Sequence, residues 1–145
     1  MFCLEPITDA NLHVYEKYES LFECDLSRFQ SRIRPSSRAD YLCWYHIKCG
    51  EEYIGAIWLE REEKDDFAVL GIFIAEKAFR NRGIGTKAIE QIIESDFKNM
   101  GCNKVVLRVR TENGRAVACY KKVGFTETRR YSKNGLDVTE MILER

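Results

Sequence analysis

Proline and histidine are scarce in this chain, and net charge is absent. Its 145 residues include two prolines and two histidines, and 23 Lys plus Arg balance 23 Asp plus Glu. With so little proline, no internal repeat and no low-complexity tract, nothing reads as a linker, and the length predicts a single domain over residues 1–145. No apolar run approaches the ~20 residues that cross a bilayer. Met1–Glu5 lacks the charged start and long apolar stretch of a secretion signal. A cytoplasmic protein without a membrane role is therefore expected. His13 and His46 are far apart and neither stands beside a cysteine pair, so no metal site is expected. The six cysteines (Cys3, Cys24, Cys43, Cys49, Cys102 and Cys119) contain no CxxC pair and read as reduced thiols.

What is present describes a globular protein: 45% hydrophobic and 32% charged residues. The zero balance hides a split. Residues 1–75 carry 8 basic and 14 acidic side chains, and residues 76–145 carry 15 and 9, so the halves stand at −6 and +6. Such asymmetry bears on partners.

The pattern predicts a strand at Phe2–Glu5, a helix capped by Thr8 or Asp9 and running to about Ser20, and a second helix near Asp25–Ile33 that ends before Pro35. Tyr41–Lys48 and Tyr53–Glu60 read as a hairpin. Phe67–Ala75 is a continuous apolar run, as in a strand covered on both faces, and Gly71 within it marks a bulge or a close backbone approach. A helix follows over about Gly83–Asn99, stopped by Gly101. Then come a strand at Lys104–Arg110, a short helix capped by Asn113 and stopped by Gly124, and a hairpin turning on Asn134-Gly135. The order βααβββαβαββ predicts an α/β fold: a mixed, mostly antiparallel central sheet with flanking helices.

Arg80-Asn81-Arg82-Gly83-Ile84-Gly85 lies between a buried strand and an amphipathic helix. Glycines there let backbone N–H groups approach an anion at the positive end of a helix. A P-loop is excluded, because Thr86-Lys87 follows Gly85 in the wrong order. A dinucleotide site fits poorly: Glu76–Arg82 separates strand from glycine, and the next strand carries Arg108 and Arg110 instead of a ribose-binding acid. An ordinary turn before a helix is the plain alternative.

Arg80-x-x-Gly83-x-Gly85 resembles the Q/R-x-x-G-x-G/A phosphate loop of the GNAT superfamily of acyl-CoA N-acyltransferases. Asn113, Ala116, Tyr120, Gly124 and Phe125 resemble that family's N-x-x-A-x-x-x-Y-x-x-x-G-F signature. The resemblance covers residues 67–125, and the two motifs occur in the family's order, separated by one helix and one strand. Singly, Asn113 reads as a cap, Tyr120 as a core aromatic and Gly124 as a helix stop; together they carry the resemblance.

The resemblance implies an enzyme that moves an acetyl group from acetyl-CoA to an amine by direct attack in a ternary complex. It implies that backbone N–H groups of Arg82, Gly83, Ile84, Gly85 and Thr86 hold the pyrophosphate, with Arg80 opening the motif. Phe73, Ile74 and Ala75 would pair with pantetheine along a splayed strand end, and Asn113 would hold that arm or the cofactor's edge. Tyr120 would serve the leaving thiolate; a thiol near pKa ~8.5 and a phenol near ~10 make full ground-state transfer uphill, so a hydrogen bond to developing charge is its expected contribution.

The strand Phe67–Ala75 has no carboxylate where many members carry a glutamate, and Arg108 stands where ribosomal-protein acetyltransferases of the family place one. Glu60 is the leading substitute base, followed by Asp65, Asp66 and Glu112. The acceptor would be read by Leu21–Tyr41 and Tyr131–Leu136, with Phe22, Phe29, Trp44 and Tyr131 in reach. Glu51, Glu52, Glu60, Glu62, Glu63, Asp65 and Asp66 in the acidic half favour a cationic amine. Exposed strand edges leave room for a homodimer. Two other classes compete: a non-enzymatic acyl-CoA-binding domain on the same fold, and a nucleic-acid module using Arg108, Arg110, Arg115, Lys121, Lys122, Arg129 and Arg130, which lacks any RNA-recognition pattern or aromatic platform.

Overall fold

The structure is a computed structural model that describes residues 1–21 and 32–145. The elements are β1 (Cys3–Pro6), α1 (Tyr15–Leu21, entered through a 3-10 turn at Leu12–Val14), β2 (Tyr41–Cys49), β3 (Glu52–Arg61), β4 (Ala68–Ile74), α2 (Ile84–Asp96), β5 (Lys104–Arg110), α3 (Gly114–Val123), β6 (Thr126–Lys133) and β7 (Leu136–Glu144). The expected second helix falls largely on residues 22–31, outside the described residues. The expected first helix begins late. Asn11 holds the preceding turn, accepting the Thr8 N–H at 2.8 Å and donating to Glu5 Oε2 at 2.9 Å and to the Pro6 carbonyl at 3.0 Å. Side-chain bonds of this kind compete with helix formation.

Seven strands form one sheet in the order β1-β2-β3-β4-β5-β7-β6. Every neighbouring pair is antiparallel except β4 and β5, which α2 connects as a crossover. The Asn-Gly turn forms as its chemistry demands, with φ of 53° at Asn134 and 79° at Gly135. Gly101, at φ 72°, stops the helical segment that extends α2.

Alternation along β3 divides the core between the two faces of the sheet. Ile57 and Leu59 belong to a cluster with Ala88, Ile89 and Ile92 of α2, and with Val123 and Phe125 at the end of α3. Ala56 and Trp58 belong to a second cluster with Tyr15, Tyr18 and Phe73 under α1. The second cluster is aromatic and tied by polar bonds. Tyr18 Oη donates to the Gly55 carbonyl at 2.8 Å and lies 3.1 Å from His46 Nδ1, while Trp44 Nε1 donates to Tyr15 Oη at 2.7 Å. Trp44, expected near an acceptor, is thereby engaged in packing.

Gly71 has the close approach its position predicts. It pairs across from Trp58, and a Cβ on it would lie 2.1 Å from the indole Cε2 and Cζ2 atoms. No side chain fits there without moving the ring or the strand. Overpacking of this kind costs about 1–3 kcal/mol, so Gly71→Ala is expected to lower the denaturant midpoint by an equivalent amount; an unchanged midpoint would contradict the contact.

Candidate active site

The parallel pair is short. β4 and β5 are in register only at Ala68–Val105 and Val69–Val106, while β5 pairs with β7 from Lys104 to Arg110 and β4 with β3 from Val69 to Ile74. Beyond Val69 the two strands part and leave a wedge in the sheet. Ala75 N–H donates to the Ile54 carbonyl at 2.7 Å, which fixes the alternation of backbone groups along β4. Odd-numbered residues direct N–H toward β3, and even-numbered ones direct it toward the wedge. Of the three residues expected to pair with a bound arm, Ala75 and Phe73 therefore face β3. Ile74 faces the opening. A strand offers an added partner the N–H groups of alternate residues only.

The loop after β4 turns on two left-handed residues, Asn81 at φ 63° and Gly83 at φ 78°. No atom lies within 4 Å of a Cβ built on Gly83, so its glycine is needed for conformation and not for space. Gly83 caps α2 without a side-chain bond, and no acidic residue lies in the first turn. The first helical bond joins Lys87 N–H to the Gly83 carbonyl at 3.1 Å. The N–H groups from Gly83 to Thr86 thus have no partner within the helix, at its positive end. Arg80 lies in the same loop. Its Nε donates to the Ile74 carbonyl at 2.9 Å and a terminal nitrogen donates to the Ala75 carbonyl at 3.2 Å, bracing the end of β4. The Arg82 guanidinium lies 5.6 Å from the centre of the Phe79 ring.

α3 packs beside this loop, with Thr86 Oγ1 3.0 Å from Cys119 Sγ. Asn113 caps α3, its Oδ1 accepting the Ala116 N–H at 3.3 Å. The Tyr120 ring is buried edge-on to Phe125, with 6.2 Å between centres. Burial pushes its phenol above the ordinary value, and the neighbouring Cys119 adds to the effect.

On the α1 face a cavity of about 420 Å³ straddles the point where β4 and β5 part. Its wall includes Trp58, Glu60, Gly71, Ile72, Arg108 and Lys133. Glu60 is buried; its Oε1 accepts from Arg32 and its Oε2 from the Ser36 N–H at 2.6 Å. Asp65 shares the wall, whereas Asp66 is an exposed carboxylate 4.0 Å from Lys104, and Glu112 is exposed in the turn before α3. Phe22 and Phe29 lie outside the described residues.

Sequence reasoning missed Glu140. Arg108 donates to it at 3.2 Å, and Arg129 donates at 3.1 and 3.3 Å. The Arg129 bonds, then those of Arg108, hold its carboxyl below the usual range. Only the β5–β7 and β6–β7 registers bring these three together, and no local pattern announces them. Among the described residues, no group of three His, Cys, Asp or Glu is gathered to hold a metal, and no helix is long and apolar enough to cross a membrane.

The sequence model of the Acetyltransferase (GNAT) family matches residues 8–125. The chain is 34% identical over 103 residues to the mycothiol acetyltransferase of Corynebacterium glutamicum (strain R), a match covering 66% of this chain and 33% of that protein. It is 29% identical over 100 residues to N-alpha-acetyltransferase 30 of Dictyostelium discoideum, covering 66% and 54%. The match thus spans about a third to a half of these curated relatives. In fold, the chain resembles a ribosomal L7/L12 alpha-N-protein acetyltransferase in complex with coenzyme A (TM-score 0.82, 15% identity, covering 99% of this chain and 94% of that one). It also resembles an aminoglycoside acetyltransferase AAC(6')-Ib in complex with coenzyme A (TM-score 0.78, 19% identity, 100% and 95%). By a match that takes in the first helix, the wedge, the glycine loop and the Asn113–Phe125 signature, the chain belongs to the Acetyltransferase (GNAT) family.

Proposed function

We propose that this chain transfers an acetyl group from acetyl-CoA to a primary amine of a small molecule or peptide, by direct attack within a ternary complex. The observation that carries the reading is the parting of β4 and β5 beside a helix N-terminus whose first N–H groups have no partner within the helix. A thioester arm needs a slot with backbone donors, and a pyrophosphate needs an anion site at the slot's mouth. Gly83, Ile84, Gly85 and Thr86 supply backbone N–H groups to the pyrophosphate, with Arg82 above the loop. Arg80 acts through the backbone it braces. Ile74 N–H meets the arm inside the wedge, and Asn113, whose Oδ1 caps α3, offers its Nδ2 to the same arm.

The amine nitrogen attacks the thioester carbon, the C–S bond breaks, and the sulfur leaves with the bonding pair. Tyr120 donates a hydrogen bond to that sulfur. Because burial raises its pKa, full proton transfer in the ground state is further uphill than for a solvated phenol, and stabilisation of developing charge is its contribution. The amine must also shed a proton. A lysine-like ammonium is roughly one part in 2,500 neutral at pH 7, a cost of about 4.6 kcal/mol. Glu60 receives that proton through water. Each of its oxygens already accepts one bond, and an ionised carboxylate has lone pairs for about four.

Acetyl-CoA should raise the melting temperature, as binding to the native state requires, and CoA should be released over an amine panel. Stabilisation without turnover would favour an acyl-CoA-binding domain. In steady-state kinetics Tyr120→Phe is expected to lower kcat at least tenfold while leaving the acetyl-CoA KM within twofold. A phenol raised above its usual ~10 stays protonated, so wild-type kcat should show no alkaline fall below about pH 10. Equal turnover by the two proteins would remove Tyr120 from the reaction. Glu60→Gln is expected to cost roughly tenfold or more in kcat/KM at pH 7. That loss should shrink by pH 9, where the amine supplies more of its own neutral form. A loss of the same size at both pH values would assign Glu60 to structure alone.

A further inference from the structure

One buried donor in the cavity wall has nothing to donate to. Trp58 is 2% exposed, and its Nε1 is the one buried side-chain polar atom without a hydrogen-bond partner among the described residues. Leaving such a group dry and unpaired is costly, because its desolvation is not repaid. The Nε1 edge of the indole lies over Gly71, where an added Cβ would come within 2.7 Å of the nitrogen, and Trp58 and Gly71 both line the cavity.

The charges around it lean one way. The wall holds Arg32, Arg38, Arg61, Arg108 and Lys133 against Glu60, Glu62 and Asp65. Glu60 is engaged by Arg32, and Arg108 by Glu140. Arg61 faces Glu63 at 3.9 Å and donates to the Asp65 carbonyl at 2.8 Å. Arg38 and Lys133 have no ion pair among the described residues. Glu62 and Asp65 belong to the β3–β4 turn, whereas Arg108 and Lys133 come from β5 and the β6–β7 hairpin across the wedge.

We propose that the acceptor is an amine that also carries a carboxylate, an amino acid or a close relative of one. The carboxylate takes the hydrogen bond of Trp58 Nε1 and the field of Lys133 and Arg38; Glu62 and Asp65 leave the other side of the cavity hospitable to an ammonium. This rests on the acetyl-transfer reading of the site. A cavity of about 420 Å³ falls within the roughly 300–1,000 Å³ of small-molecule sites. Polycations would meet a wall with more arginine and lysine than carboxylate.

The test is a matched acceptor panel: L-amino acids, their carboxamides, O-phosphoethanolamine and spermidine, assayed by CoA release at low salt. The expected result is a kcat/KM at least tenfold higher for the best free acid than for its carboxamide, an advantage that 0.5 M NaCl reduces. Trp58→Phe and the surface variant Lys133→Met should each draw that ratio toward one. Carboxamides or spermidine matching the acids, or O-phosphoethanolamine exceeding all of them, would overturn the proposal. A parallel arm needs no turnover: calorimetric binding of N-acetyl-L-amino acids and their carboxamides, with and without CoA. Preference for the free acid supports the proposal, and no preference overturns it. Failure of the acetyl-transfer reading is distinct, appearing as no acetyl-CoA binding and no CoA release with any amine.

Discussion

The parting of β4 and β5 is the constraint on which the rest of the molecule depends. Two registered pairs join the strands, and then each is claimed from its other side, β4 by β3 and β5 by β7. A parallel pair needs a crossover, and α2 provides it, so the helix N-terminus is delivered to the end of the strand that diverges. The surroundings hold this geometry. Arg80 binds the last carbonyls of β4, Trp58 lies across the backbone at Gly71, and Ala75 is pinned to Ile54. Beyond Val69 the even-numbered residues of β4 therefore turn their backbone N–H groups away from β3 and toward the wedge. An interior slot with such donors is suited to an extended polar ligand and poorly suited to being empty.

Much of this fold was legible because its signals are local. The run Phe67–Ala75 reads as a covered strand, Asn134-Gly135 as a hairpin turn and Gly101 as a helix stop, each from a few neighbouring residues. The late start of α1 was not legible, since it depends on the Asn11 side chain bonding Glu5 and Pro6. The glycine loop and the Asn113–Phe125 signature could be found, but the task of Arg80 could not, because its partners lie back on β4. Nor could the direction of the N–H groups at Phe73, Ile74 and Ala75, which one interstrand bond fixes. Glu140 and the idle Trp58 nitrogen are wholly tertiary: strand register places the first between two arginines, and the packing of one indole over one glycine isolates the second.

The charge split along the chain also reads differently in three dimensions. Of the seven carboxylates of the acidic half taken to favour a cationic acceptor, only Glu60, Glu62 and Asp65 reach the cavity. There they meet arginines from their own half and Arg108 and Lys133 from the basic one. Folding mixes the halves at the site, so linear charge is a poor guide to the local field. The basic half keeps its other feature, an α2 N-terminus with no acidic residue in its first turn.

The central claim is that coenzyme A occupies the wedge and the α2 N-terminus together, and amide hydrogen exchange with and without CoA tests it most directly. The account predicts new protection at Ile74 and at residues 83–87, with little change in the exposed β6 strand. Protection that spares both Ile74 and the first turn of α2, on a protein shown to bind CoA, would contradict it.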